Sequence, residues 1–593
     1  MRNTAVLPLL SLLLMSCMTP TPPASTSQPS ASAQLSAILD RDLDMVYRRN
    51  PFFATVRGIP GYNEKLPDIS IAGRAAEHAH ERAMLAGLRA IDSKSLRGQD
   101  RVSYQLALDK MELAVEAQRF ADAEALVLST LGGFQNAMPR AAQLTPFRTV
   151  QDYRDYIARL NAMPAYADGA VERLRKGLSS GWMSPRPVVE RVIAAIDSHM
   201  VDDASQSVLM GPFAGMPATI PQAEQRALEE AARRAIADSY QPALRRAKAF
   251  LQSEYLPKAP GEMGLAALPG GVDYYEFLIR QRVVRGYSAE QIHQIGLSEV
   301  KRLRAEIGAV ARKTGFEGST DEFIRQVRTD PKFFFTSADE VLATYRSMPA
   351  RVDPHLPRLF HHVPRMAYAV RAMTPAEAAS STAANYTPGS NELGTAGYFT
   401  INAPGFRSEA RWRKETLFLH EAVPGHHMQV ARSMEMQGLH PWRASGNWNV
   451  GYGEGWALYA EQLGFAMGMY EDPYQRYGNL QAQLFRAARL VVDTGIHRYN
   501  WSREKAIEYM SGQGGVDHEF SVSEVDRYFS NPAQALGYLM GFRKFTELRA
   551  RAEKALGPRF DVKDFHAVSI DNGSLTLGVL EQLVDEWIAG GRP

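Results

Sequence analysis

Helical periodicity fills this chain, and little else competes with it. In LSAILDRDLDMVYRR (35–49) Ile38, Leu39, Leu43, Val46 and Tyr47 fall on one face of a 3.6-residue repeat. The pattern recurs over 73–91, 99–120, 149–163, 186–200, 222–256, 288–315 and 337–348. It continues over 412–436, 452–468, 474–498, 502–510, 521–528, 532–555, 561–569 and 575–589. Ser288 and Ser337, each followed by acidic or amide residues, are expected helix N-caps. No repeat of fixed period stands out, which argues against a solenoid. Strand-like patterning is confined to about 357–373 and to AGYFTINAP (396–404). The expectation is a mostly α, large, two-lobed helical fold with a deep cleft and a small β-sheet near the active site. The Pro/Gly-rich APGEMGLAALPGG (259–271) divides an N-terminal helical lobe (35–258) from a catalytic half (259–593), the two sharing one core.

The N-terminus reads as an export signal. Arg2 precedes an apolar stretch from Ala5 to Met15 that is too short to span a bilayer. It ends in Leu14-Met15-Ser16-Cys17, which resembles a bacterial lipobox. Cys17 is the sole cysteine, so no disulfide framework can form. A secreted protein with a stray cysteine is the alternative, but the one cysteine stands where lipidation needs it. Residues 1–17 are therefore expected to be a lipoprotein signal peptide. The Pro/Ser/Thr-rich stretch 18–34 is expected to be a disordered tether. Met18 in place of Asp, by resemblance to enterobacterial sorting, points to the outer membrane, with the folded part facing the periplasm. A formal net charge of +2 without a long basic run gives no reason to expect nucleic acid as a partner. Oligomeric state carries no signal.

The segment LFLHEAVPGHHMQV (417–430) carries the chemistry. His420-Glu421 begins like the zinc-hydrolase pattern H-E-x-x-H, but Pro424 stands where the second His belongs. On an unbroken helix a six-residue gap leaves two side chains roughly 120° out of line, and a seven-residue gap leaves them two turns apart. Pro424 cannot continue the hydrogen-bond ladder, at a cost of ~3 kcal/mol inside a helix, and Gly425 tolerates unusual backbone angles. If residues loop out there, His426 or His427 can take the place of the second ligand. The other possibility is a kinked helix with surface histidines. A third ligand is expected from GYGEGWALYAEQLG (451–464), where Glu454 and Glu461 lie seven apart on one face. Glu454 is the expected ligand, and Glu461 could instead orient a ligand histidine. The set suits one Zn2+ ion, with other first-row metals acceptable. Glu421 is then the general base acting on metal-activated water. Asp493 and His497 lie four apart on one helical face, so Asp493 could hold the imidazole. Tyr538, Gln534 and Arg527 are further polar candidates, and Tyr398 is a candidate for touching substrate.

Several segments together resemble one family. NPFFATVRGIPGYNEKLPDIS (50–70), IHQIGLSEVKRLRAEI (292–307), HEAVPGHHMQ (420–429), GEGWALYAEQLG (453–464), DTGIHRYNWSREKA (493–506) and NPAQALGYLMG (531–541) are similar to motifs of the bacterial domain of unknown function 885 family, which contains secreted proteins and lipoproteins. The resemblance implies a fold akin to the cleft-bearing zinc peptidases, such as angiotensin-converting enzyme, thimet oligopeptidase and the carboxypeptidase Taq type. In that class a Gly directly precedes the second ligand His, which favours His426 and leaves His427 a supporting role. The class also uses a late Tyr to stabilise the tetrahedral intermediate, which points to Tyr538 and His497. The expected function is a periplasmic zinc peptidase acting on short peptides. The rivals are a metal-dependent amidase or esterase on a non-peptide substrate, and a binding lipoprotein with a structural or vestigial metal site.

Overall fold

The computed structural model describes residues 29–130, 132–261, 263–374, 378, 384–390, 394–444 and 449–590. The expected signal peptide, Cys17 and most of the expected tether lie outside these residues. The first helix, Ala31–Arg49, begins four residues ahead of the expected start of the folded part, with the Ser30 side chain accepting from the Ala33 amide. Ser288 and Ser337 cap helices as their sequence context predicts. Ser288 and Gln291 bond reciprocally at the start of Ala289–Lys313, and Ser337 accepts from the Glu340 amide. None of the described helices is long and apolar enough to cross a membrane.

The architecture is mostly helical. Its centre is Pro473–Tyr499, a 27-residue helix buried on most faces. Ala289–Lys313 packs along it, and Gly296 makes their closest approach: a Cβ there would lie 2.8 Å from Leu490 Cβ. Helices Val450–Leu463 and Gly537–Leu556 meet the same way through glycines. A Cβ on Gly541 would fall 1.9 Å from the Gly451 carbonyl oxygen, and one on Gly455 would fall 2.6 Å from the Gly541 backbone. Only glycine allows two helix backbones so near, and this contact brings Tyr538 toward Glu454.

The buried apolar side chains form one continuous cluster from Leu35 to Trp587, and Ala259 and Leu265 of the Pro/Gly-rich 259–271 stretch belong to it. Polar ties also link distant parts of the chain. The buried Asp42 carboxylate accepts from Lys110 and from Trp442 Nε1 (2.6 Å), joining the first helix to the C-terminal half.

The small sheet expected ahead of the His-Glu motif is present, with three strands in the order β1-β3-β2: β1 Tyr368–Ala372, β2 Ala384–Thr387 and β3 Gly397–Ile401. β1 runs parallel to β3, and β2 antiparallel to it. β3 matches the expected 396–404 strand. Only the end of the 357–373 segment is a strand, because Leu356–Leu359 forms a short helix. β2 was not foreseen. The predicted 412–436 helix is two helices, Lys414–Glu421 and His426–Glu435.

Gly541→Ala is expected to cost about 1–3 kcal/mol by forcing the two helices apart. A lowered midpoint in thermal unfolding, with Gly512→Ala at an open position as control, would show it.

Candidate metal centre

The break between the two motif helices builds the site. Lys414–Glu421 stops at Ala422, whose amide still donates to the Phe418 carbonyl, and the chain turns through 422–425 before the next helix starts at His426. Residues are not looped out of one continuing helix; the helix ends and restarts. The Val423–Pro424 peptide bond is cis. Trp456 Nε1 pins the turn by donating to the Pro424 carbonyl at 2.9 Å. Gly425 lies on the end of the first helix, where a Cβ would stand 1.9 Å from the His420 carbonyl oxygen. The outcome is that the His420 and His426 rings meet edge to face, centroids 4.8 Å apart.

Glu454, one turn into Val450–Leu463, completes the group. Its Oε2 lies 3.5 Å from His420 Nε2 and 3.4 Å from His426 Nε2. These three side chains form one of two groups among the described residues with metal-ligand spacing; the other, His361, Asp561 and Asp564, is largely exposed. Tetrahedral zinc with ligands at 2.0–2.1 Å separates ligand atoms by about 3.3–3.4 Å, close to the observed spacing. Glu454 Oε2 is also buried and makes no hydrogen bond of good geometry. A His/His/Glu set with this spacing and a buried, unbonded carboxylate oxygen fits a divalent ion that keeps one coordination position for another ligand.

Glu461 orients the first histidine. Fully buried, it accepts from His420 Nδ1 at 2.9 Å, which leaves Nε2 as the nitrogen facing Glu454. Burial works to lower the His420 pKa, but Glu454 and Glu461 outweigh it and raise it to about 9. Burial likewise works to raise the Glu454 carboxyl, and the close imidazoles of His426 and His420 hold it well below the usual carboxylate range.

His427 points elsewhere. Its Nε2 donates to the Met366 carbonyl and its Nδ1 accepts from the Tyr386 hydroxyl, both at 3.0 Å. Burial pushes its pKa down to about 4, so it stays neutral. With both nitrogens occupied, it ties the second motif helix to the sheet. Tyr386, on β2, was missed by the sequence reading because its strand has no clear alternation.

The cluster stands where two cavities meet, of about 880 Å³ and 1270 Å³. Ala384, His420, Glu421 and Tyr538 line both. His426 and Glu454 line the smaller one, together with Phe52, Phe53 and the edge strand β2. Glu421, nearly buried, therefore faces both spaces beside His420. Tyr538 lies close enough to Glu454 that burial and that charge raise its pKa, which keeps the hydroxyl protonated.

Several expected residues have other duties. His497 is not at the centre: its Nδ1 accepts from the Leu265 amide and its Nε2 donates to the Tyr528 carbonyl, so no nitrogen is left for an oxyanion. Asp493 does not hold His497. It accepts from the Tyr275 hydroxyl and the Ala533 amide, partners remote in sequence that outcompete its i+4 neighbour. Arg527 lines the larger cavity but bonds Glu524 and Gln534, so Gln534 acts by holding Arg527. Tyr398 pairs with Ala369 and Thr387 in the sheet and lies beneath the Arg371 guanidinium; it lines neither cavity.

The pattern of the DUF885 family, bacterial proteins of unknown function, matches residues 51–584. The chain belongs to this family. A crystal structure from Colwellia psychrerythraea, described as a "putative lipoprotein", is 26% identical to the chain, with a TM-score of 0.89 over 95% of this chain and all of that one. A similarly described Shewanella oneidensis protein of unknown function, 21% identical, shares the fold with a TM-score of 0.70 over 94% of this chain and all of that one. No curated protein matches the DUF885 chain.

Two outcomes test the site. His426→Ala is expected to abolish stoichiometric zinc uptake measured by equilibrium dialysis and elemental analysis, while His427→Ala retains one ion per chain. Burial raises the Asp493 carboxyl to about 7, above its unfolded value. The folded state thus binds the extra proton between about pH 4 and 7, and this group's contribution to stability falls as pH rises through that window. Asp493→Asn should flatten that part of the profile in denaturant titrations across pH.

Proposed function

We propose that this protein is a metal-dependent hydrolase, a zinc peptidase that cleaves short peptides. The observation that carries the reading is the spacing of His420, His426 and Glu454 at a cavity junction that also presents Glu421 and Tyr538. A zinc ion in such a set supplies Lewis acidity toward the scissile carbonyl and lowers the pKa of water. Glu421 takes the proton from the attacking water as its oxygen bonds to the carbonyl carbon. The C–N bond then breaks, and Glu421 returns the proton to the departing amine. The Tyr538 hydroxyl donates to the oxyanion that forms in between. Glu461 keeps His420 in the tautomer and orientation this requires. Cavities of about 880 and 1270 Å³ hold a few residues and exclude folded proteins. The Ser16-Cys17 junction and the lipoprotein description of the Colwellia relative support an anchor at Cys17, and Met18 in place of Asp is the ground for assigning it to the outer membrane, facing the periplasm.

Glu421→Gln is expected to retain zinc yet lose about 10²- to 10⁴-fold in turnover of the best substrate from a peptide library. Undiminished hydrolysis by that variant would overturn the mechanism. Turnover confined to a panel of non-peptide amides and esters would move the substrate class.

A further inference from the structure

Arg486 is the side chain beside the metal group whose chemistry the scheme above leaves unused. It projects from Pro473–Tyr499 into the larger cavity, which Glu421, His420 and Tyr538 also line. A guanidinium carries five N–H donors. Among the described residues Arg486 makes one hydrogen bond, from Nη1 to the Ala482 carbonyl of its own helix at 3.1 Å. Its Nε is buried with no partner. Its nearest carboxylate oxygen, Glu461 Oε1, is 3.8 Å from Nη2 and already accepts from His420. Burial works to lower the Arg486 pKa, the direction expected of a cation short of partners.

Its neighbours are satisfied. Arg489 bonds Glu524 (2.8 Å) and the Tyr528 hydroxyl (3.1 Å), and Arg527 bonds both oxygens of Glu524 (3.1 and 2.9 Å) as well as Gln534. A divalent ion balances Glu421 and Glu454. Arg486, Arg489 and Arg527 then face Glu461 and Glu524, one positive charge more than these two carboxylates supply; Arg407, over the Phe406 ring, is a further cation of the same cavity. In the smaller cavity Arg49 pairs with Glu77 and Glu81, Lys110 with Asp42, Arg443 bonds Gln99 and Ser103, and Arg140 lies over the Phe52 ring.

The geometry points to Arg486 as the residue that takes a substrate's terminal carboxylate, making the protein a peptidase that cuts near the carboxyl end. This rests on the hydrolase reading above. A carboxylate matches the guanidinium fork. Arg486 stands one side chain, Glu461, away from His420, with Nη2 3.8 Å from Glu461 Oε1 and that oxygen 2.9 Å from His420 Nδ1. A carboxylate held there puts the substrate's terminal residue within a few residues of the scissile bond, since each spans about 3.3–3.6 Å. Phe335, Phe406, Trp412, Phe485 and Phe520 line the same cavity, so that residue is aromatic or large and apolar.

The probes are benzoyl-glycyl-phenylalanine and its carboxamide, bound calorimetrically to the zinc-loaded Glu421→Gln protein and hydrolysed by the zinc-loaded native protein. The free acid should bind about 10- to 100-fold tighter than the carboxamide, the worth of hydrogen bonds to a charged group. Adding Arg486→Gln should bring that ratio near one with zinc content unchanged, and Arg486→Lys should restore part of it. Equal binding and cleavage of acid and amide would overturn the carboxylate assignment while hydrolysis stands. Preferential binding of the acid without cleavage by native protein would overturn the hydrolase reading and keep the anion site. Equal weakening of both ligands with loss of zinc would make Arg486 a positioning residue for Glu461 and overturn the proposal. Binding of neither probe would overturn both.

Discussion

The structure around the metal group depends on one backbone contact, the seating of Gly425 on the carbonyl end of the helix that carries His420. That approach leaves no volume for a side chain. It turns the chain sharply enough for the next helix to begin with an imidazole edge-on to the first. Trp456, on the helix that supplies Glu454 and Glu461, fixes the turn by its bond to Pro424. One local geometry thus sets two candidate ligand positions and docks the helix that provides the third candidate and its support.

The sequence showed most of the helices because apolar spacing and capping residues act locally. The His-Glu motif and the two glutamates seven apart were legible for the same reason. The sequence could not say whether residues 422–425 bulge from one helix or separate two, since both accommodate proline. It could not choose by spacing between His426 and His427 either. Tertiary partners make that choice: the Met366 carbonyl and the Tyr386 hydroxyl occupy both nitrogens of His427.

The misplaced roles have a common cause. Asp493 and His497 are four apart on a helix, so local geometry permits a pair, yet each bonds groups more than thirty residues away. Polar residues buried in a large helical core are often fasteners, and spacing alone does not separate fasteners from chemistry. β2 escaped notice because four residues of mixed polarity at a sheet edge carry little periodic signal.

Among the described residues the two chambers share Ala384, His420, Glu421 and Tyr538 in their lining, and each reaches exposed residues, Asn50 on one side and Asp517 on the other. A ligand lying across that doorway has its two halves in separate rooms. Each half then has its own way out to solvent, and neither must pass the other to leave.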